Sequence, residues 1–271
     1  MEDAVKNKKL GWNIALVAMV IALYGWALFG AKFEWGALFS TQGARHAADF
    51  MSRLLPPDAS VTGTALTALL ETVQMALLGT TFGALLSLPL ALMAAKNLSP
   101  RCLYFPARGA LNLIRAVPSV VWGLFFVAAV GLGSVAGVLA LTFYTVGYLG
   151  KFFYETFEAA DDSAATALRC AGASTPQVFQ YAILPQSAPL LLNYGLFMLE
   201  YNIRAATILG VVGAGGIGFY LFVYMQQFDY TKAATVLLIL LAVVLAMDAL
   251  SAWVRRTLVE PQSAPTQVRS A

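Results

Sequence analysis

Charge is what this sequence has least of. Asp, Glu, Lys and Arg make up 11% of its 271 residues, against about 25% in a soluble domain. That shortage excludes a water-soluble globular domain and points to an integral membrane protein. A net charge of +3 is too small to hold a nucleic acid. Histidine is nearly absent, and His46 alone makes no metal site. The two cysteines, Cys102 and Cys170, have no metal-site spacing, and both fall in segments assigned below to the cytoplasm, so neither a disulfide nor a metal is expected. No GxxxxGK[ST] occurs, so the chain does not itself hydrolyse ATP. No HExxH or GxSxG occurs either, which leaves an intramembrane hydrolase without its groups. There is no internal repeat of the kind that builds many ATP-independent transporters.

What the chain has is apolar runs. Hydrophobic residues are 59% of the total, and six stretches approach the length that crosses ~30 Å of hydrocarbon. They are Asn13–Phe29, Leu69–Ala95, Ile114–Val130, Val135–Phe153, Pro189–Val212 and Thr231–Trp253. The first follows a basic preface (Lys6, Lys8, Lys9) that also suits a signal peptide. Its apolar run is longer than a usual signal core, and the preface carries Glu2 and Asp3, so an uncleaved anchor is expected. The layout is then a cytoplasmic N-terminus (1–12), a first span (13–29), an outer loop (30–67), a core of five further spans (68–256) and a polar tail (257–271). Inside the outer loop, Ala47, Phe50, Met51 and Leu54 recur at helical spacing, which predicts an interfacial helix over Ala44–Leu55, stopped by Pro56 and Pro57. Gly79, Gly83 and Ser87, four residues apart, give the second span a small face for close packing, and Pro89 is expected to kink it. Lys96–Arg115 reads as a basic connection. Basic residues set the orientation: with both termini inside, 12 of the 17 Lys and Arg lie in inner segments.

One long polar interruption stands out, Ala164–Pro185, within a segment that begins at Asp161. It reads as two short helices on a glycine turn. Asp161, Asp162 or Ser163 can cap the first, and Gly172 can stop it in the left-handed conformation. Ser174 and Gln177 form a capping box for the second, with Pro176 in its first turn and Pro185 as its end.

Val211–Gly218 contains G-x-G-x-x-G at Gly213, Gly215 and Gly218. A dinucleotide site needs a preceding strand and a soluble βαβ unit; here a membrane-length helix precedes, and Phe219, Tyr220, Phe222 and Tyr224 follow as an interfacial belt. Gly213, Gly215, Gly216 and Gly218 instead make a bend at the outer mouth of the bundle, where their amides can face an anion.

These residues carry a family resemblance. Gly172, Leu184 and Pro185, with Ala167 upstream, hold the spacing of the inner-loop signature of bacterial ABC importer permeases. Thr166 replaces its Glu and Ala182 its Ile, while Glu158-Ala159-Ala160 lies too far upstream to be the motif. Glu200 to Gly218, Arg115–Pro118 and Val130–Gly133 resemble the phosphonate branch in particular. The resemblance implies an all-α fold of the type I ABC importer permease class, with six transmembrane helices and both termini inside. It implies an inner-membrane location and four kinds of partner besides lipid: a second permease subunit (a homodimer is expected), two cytoplasmic ATPases that bind the ATP, and a periplasmic binding protein. The chain itself needs no cofactor. Coupling to the ATPase would fall to Ala167, Leu168, Arg169, Gly172, Ala173, Ser174, Leu184 and Pro185. The cargo would be phosphonate or a related phosphorus oxyanion such as phosphite, hypophosphite or a phosphate ester.

Span five holds the chemistry. Glu200 and Arg204 lie roughly 17 and 23 Å past Pro189, where ionisable residues face a partner or a cavity. Spaced i,i+4, they are expected to neutralise each other. Arg204, helped by Asn202 and Thr207, and Ser119 on span three are candidates to line an oxyanion path, since the guanidinium fork suits phosphoryl oxygens. Asp248 is expected to pair with Arg255 or Arg256, Arg115 to anchor at the membrane edge, and Trp122 to pack in the core.

Overall fold

The computed structural model describes residues 2–30 and 40–259, and the side chains within 12–30 and 40–257. The chain divides into two units, residues 1–53 and 54–271. Residues 31–39 of the outer loop and most of the tail lie outside the described residues.

In the first unit, helix α1 (Glu2–Gly30) contains the apolar stretch Trp12–Gly30, none of which is buried. Helix α2 (Thr41–Arg53) covers the stretch expected to form an interfacial helix. It begins earlier than the apolar spacing alone indicates, because the Ser40 hydroxyl accepts from the Gly43 N–H at 2.9 Å and caps the first turn. Arg53 closes the other end on Asp49 at 2.9 Å.

In the second unit the second span starts well before Leu69. Asp58 accepts from the Ser60 N–H at 2.8 Å and caps a 3-10 turn at Ala59–Val61, which runs into α3 (Thr62–Ala94). The extra turns persist because Ala65, Ala68 and Leu69 bury against Ile217 and Val236. Pro89 sits inside this helix. Helix α6 (Ser134–Ala159) packs alongside α3 and runs in the same direction. Gly79 meets Leu141 and Gly83 meets Thr145, so closely that an added Cβ would lie 2.6 and 2.5 Å from their Cβ atoms. Ser87 donates to the Gly83 and Val146 carbonyls at 2.6 and 3.3 Å. The small-residue face does what its spacing implied.

Span three departs from the sequence expectation. The basic connection is itself a helix, α4 (Arg101–Ala116), and it meets α5 (Ser119–Val130) at a bend of 90°. Pro118 forces Val117 out of the helical region, to φ −96° and ψ 122°. A 12-residue α5 covers only about 18 Å, so Ile114–Val130 is not one straight span. Gly147 and Gly150 on α6 make room for Ile114, Arg115 and Leu111 of α4. Among the described residues five helices are long and apolar enough to cross a membrane, and six spans result when the bent pair counts as one.

The polar interruption folds as α7 (Asp162–Cys170) and a single turn α8 (Thr175–Val178). Pro185 does not end the second helix. A π-helical stretch, Phe179–Ile183, passes directly into α9 (Leu184–Val211). Pro185 is tolerated because it falls in the first turn of α9, where its missing N–H costs little, and Pro189 lies within α9. The chain is therefore helical from Thr175 to Val211. A glycine bend leads to α10 (Ile217–Gln226), and α11 (Tyr230–Val254) ends in a π-turn at Arg255–Val259.

Candidate functional site

Four charged side chains from α9 and the end of α11 form one network. Glu200 and Arg204 are a helical turn apart, and Arg204 Nη2 lies 2.6 Å from Glu200 Oε1. The second Glu200 oxygen accepts from Arg255 Nη2 at 3.0 Å. Arg204 Nη1 lies 3.5 Å from Asp248 Oδ1. Two carboxylates thus balance two guanidiniums, the arrangement that makes ionisable groups tolerable away from water. Two expectations change. Asp248 pairs with Arg204 rather than with Arg255 or Arg256, since those arginines lie about two helical turns, roughly 10–12 Å, further along the chain and Arg255 is taken by Glu200 instead. Counting from Pro189 put Glu200 deep in the bilayer, yet its contact with Arg255 sets it level with the place where the last apolar run stops.

The other path candidates do not gather around Arg204. Asn202, two residues away and so about 200° around the helix, is fully buried. It donates to the hydroxyls of Thr80 and Thr145, both at 2.8 Å, and its own Oδ1 has no partner. It ties α9 to α3 and α6. Thr207 donates to the Ile203 carbonyl at 3.2 Å. Ser119 is buried at the start of α5 and shares no bond with the network. Trp122 donates to the Ile114 carbonyl at 3.2 Å and packs on Phe126 and Phe143, as a core residue would. Arg115 lays its guanidinium 5.1 Å from the Tyr148 ring centre, so it packs against an aromatic ring of α6.

The glycine bend holds three consecutive-range glycines in the left-handed region, Gly213, Gly215 and Gly216, with φ of 91°, 81° and 73°. Gly218 approaches Thr207 so closely that a Cβ would lie 1.8 Å from its carbonyl oxygen. The anion these amides meet belongs to the chain. Glu71 Oε2 accepts from the Gly216 N–H at 3.2 Å, and the Thr72 hydroxyl accepts from the Ile217 N–H at 2.8 Å. Glu71 escaped the sequence argument. The available signal was a carboxylate near the start of an apolar run with no basic residue at i±3 or i±4.

The segment expected to couple to an ATPase presents Thr166, Ala167, Arg169, Gly172 and Ser174 on an exposed surface, while Leu168, Ala173 and Leu184 are half-buried and Pro185 is exposed. Ala182, in the position of the signature's Ile, is buried, so that departure touches the core. Asp161 caps α7 by accepting from the Ser163 N–H at 3.1 Å. Its hydroxyl and backbone bonds from Ser163 hold its carboxyl below the usual range. Gly172 turns the chain at φ 86°, and Ala173 N–H donates to the Leu168 carbonyl at 3.0 Å. Gln177 accepts from the Ser174 N–H at 2.8 Å, one half of the capping box. Glu158 is indeed apart from this surface. It takes Arg108 in an ion pair and the Lys96 N–H at 2.6 Å, fastening the end of α6 to the turn after α3.

A bundle of apolar helices, an exposed helix–glycine–helix element and a charge-neutral network at the foot of its last span define a multi-pass membrane permease. Residues 87–260 match the family described as binding-protein-dependent transport system inner membrane component, and the chain belongs to it. It is 38% identical over 264 residues to the phosphite transport system permease protein PtxC of Stutzerimonas stutzeri, covering 94% of each chain. It is 37% identical over 210 residues to the phosphate-import permease protein PhnE of Mycolicibacterium smegmatis, covering 77% of this chain and 40% of that one. Its fold is that of the permease in an inward-facing methionine ABC transporter, MetNI, with a TM-score of 0.66 at 21% identity over 73% of this chain and 98% of that chain.

Proposed function

We propose that this chain is the membrane-spanning subunit of an ATP-driven importer of a phosphorus oxyanion, of the phosphite and phosphonate class. The observation that carries the substrate class is the 38% identity to a phosphite permease over 94% of both chains. In this reading both termini are cytoplasmic, six spans form when α4 and α5 cross together, and a second permease completes the pore. Two ATPases seat on the exposed face of α7 and α8, and a binding protein delivers cargo from the other side.

The continuous helix from Thr175 to Val211 gives this reading its mechanics. A push on α8 has no hinge loop in which to dissipate before it reaches Glu200 and Arg204. Closure of the ATPase pair would then rock α9, and the bundle with it, between inward- and outward-open forms. Arg204, with 44% of its side chain exposed, is the group available to meet cargo oxygens along the path. Asn202, Thr207 and Ser119 would act by shaping that path.

The test is uptake of phosphite and methylphosphonate by cells carrying the chain with its ATPase and binding protein. Arg204→Met should abolish uptake at normal membrane abundance. Gly172→Pro should abolish it by misplacing the coupling surface. Unaltered uptake by Arg204→Met removes Arg204 from the path, and unaltered uptake by Gly172→Pro removes the coupling role.

A further inference from the structure

Arg204 is held by two carboxylates of unequal grip. Glu200 bonds it at 2.6 Å and is itself fixed by Arg255 at 3.0 Å. Asp248 sits at 3.5 Å, and its Oδ1, the oxygen facing Arg204, makes no hydrogen bond although it is shielded from solvent. Glu200 is 15% exposed, whereas Asp248 is 43% exposed. One carboxylate is therefore locked into the network and the other leans on it.

A guanidinium has five N–H donors. With Glu200 and Asp248 both beside it, the arrival of an oxyanion at Arg204 puts three negative groups around one cation. Like charges at such range repel, so one must leave. Glu200 cannot move without also releasing Arg255. Asp248 has one long ion pair to give up, and its side chain is much less enclosed than that of Glu200. Resting on the reading of Arg204 given above, we propose that Asp248 is its displaceable counter-ion, which swings aside when the oxyanion binds and returns to expel it. Asp248 is then a specificity-determining residue: it sets how strong an anion must be to occupy Arg204, and it keeps the path from becoming a trap. A fixed counter-ion could do neither.

The test is equilibrium retention of radiolabelled phosphite by the purified permease–ATPase complex in lipid nanodiscs, without binding protein. Asp248→Asn should bind phosphite about two- to fivefold more tightly, the range expected from removing a partly exposed ion pair. Asp248→Glu should restore the original affinity, while Glu200→Gln, which strips Arg255 of its partner as well, should lower the thermal stability of the complex, as Asp248→Asn does not. Asp248→Asn affinity equal to or weaker than the unsubstituted complex, in protein of equal yield and assembly, overturns the counter-ion role while leaving Arg204 as a contact. Arg204→Met is the second control: phosphite retention equal to the unsubstituted complex, or none by any variant, overturns the Arg204 site and this proposal with it.

Discussion

Glu71 Oε2 accepts a hydrogen bond from the Gly216 N–H at 3.2 Å, joining residues 145 positions apart in the chain. The next residue, Thr72, takes the next N–H, that of Ile217. The first N–H groups of a helix have no partner within it, and a carboxylate there also meets the positive end of the helix dipole. Helix α3 thus supplies from its side chains what the start of α10 lacks.

Removing that carboxylate should loosen the bend before anything else. Glu71→Ala is expected to destabilise the protein by about 1.5–3 kcal/mol, the range for a hydrogen bond to a charged group. Glu71→Gln keeps an acceptor and should lose roughly half as much. Thermal unfolding in detergent reads both, and amide exchange around residues 213–217 locates the change. Two variants as stable as the parent, with unchanged exchange, would mean that the contact contributes nothing.

Asn202 offers a sharper distinction between packing and substrate contact. Its amide satisfies Thr145 and Thr80 in a site without water access. Asn202→Val should cost about 1–3 kcal/mol, because it strips a partner from buried hydroxyls. Asn202→Val combined with Thr145→Val should cost less than the sum of the two, since the unpaired hydroxyl disappears with its partner. Additive losses in denaturation would show that the three-helix junction is not a coupled unit.

The sequence showed different parts of this molecule with different clarity, for physical reasons. Periodicity and composition reveal burial in lipid, so the long runs in α1, α3, α6, α9 and α11 were evident. Local chemistry reveals caps and turns: Gly172 and Ser174 stand where their residue types imply, and of Asp161, Asp162 and Ser163 it is Asp161 that takes the cap. Hydropathy does not register a 90° bend at Val117–Pro118, because the apolar run from Ile114 continues through it into α5, while Arg101, Arg108 and Arg115 make the rest of α4 read as a basic connection rather than a helix. Nor does it show that a π-helical stretch can carry a helix through Pro185, since that depends on which N–H the proline removes. Long-range partners were the least visible. Asp248 and Arg204 are far apart in sequence, and nothing local chooses Arg204 over Arg255.

Two glycines provide a paired prediction, because one is crowded and the other is not. A Cβ on Gly83 would sit 2.5 Å from Thr145 Cβ, while one on Gly109 would meet nothing within 4 Å. Gly83→Ala should therefore force α3 and α6 apart and cost about 1–3 kcal/mol, as overpacking does. Gly109→Ala, in the exposed interior of α4, should stabilise by about 0.5–1 kcal/mol through the helix preference of alanine. Parallel thermal melts settle the sign of each. A neutral Gly83→Ala would mean that the two helices are not pressed together at this level.

The cap on α7 should make that helix sensitive to acid. Asp161 accepts from the hydroxyl and the N–H of Ser163, and these bonds lower its carboxyl affinity for protons in the folded chain. A carboxyl whose folded value lies below its unfolded value of about 3.9 stabilises the fold fully above that pH. The contribution fades as the pH falls through the depressed folded value. Protection of the α7 amides against exchange should thus be steady near neutrality and decline below about pH 4, ahead of the buried amides of α6. Asp161→Asn keeps an N-cap acceptor without a titrating proton, so its α7 protection should not show that decline. Asp161→Ala should be less protected at every pH. If Asp161→Asn loses protection over the same acid range as the parent, the titrating group lies elsewhere, and Asp161 is not what holds the first turn of α7 in place.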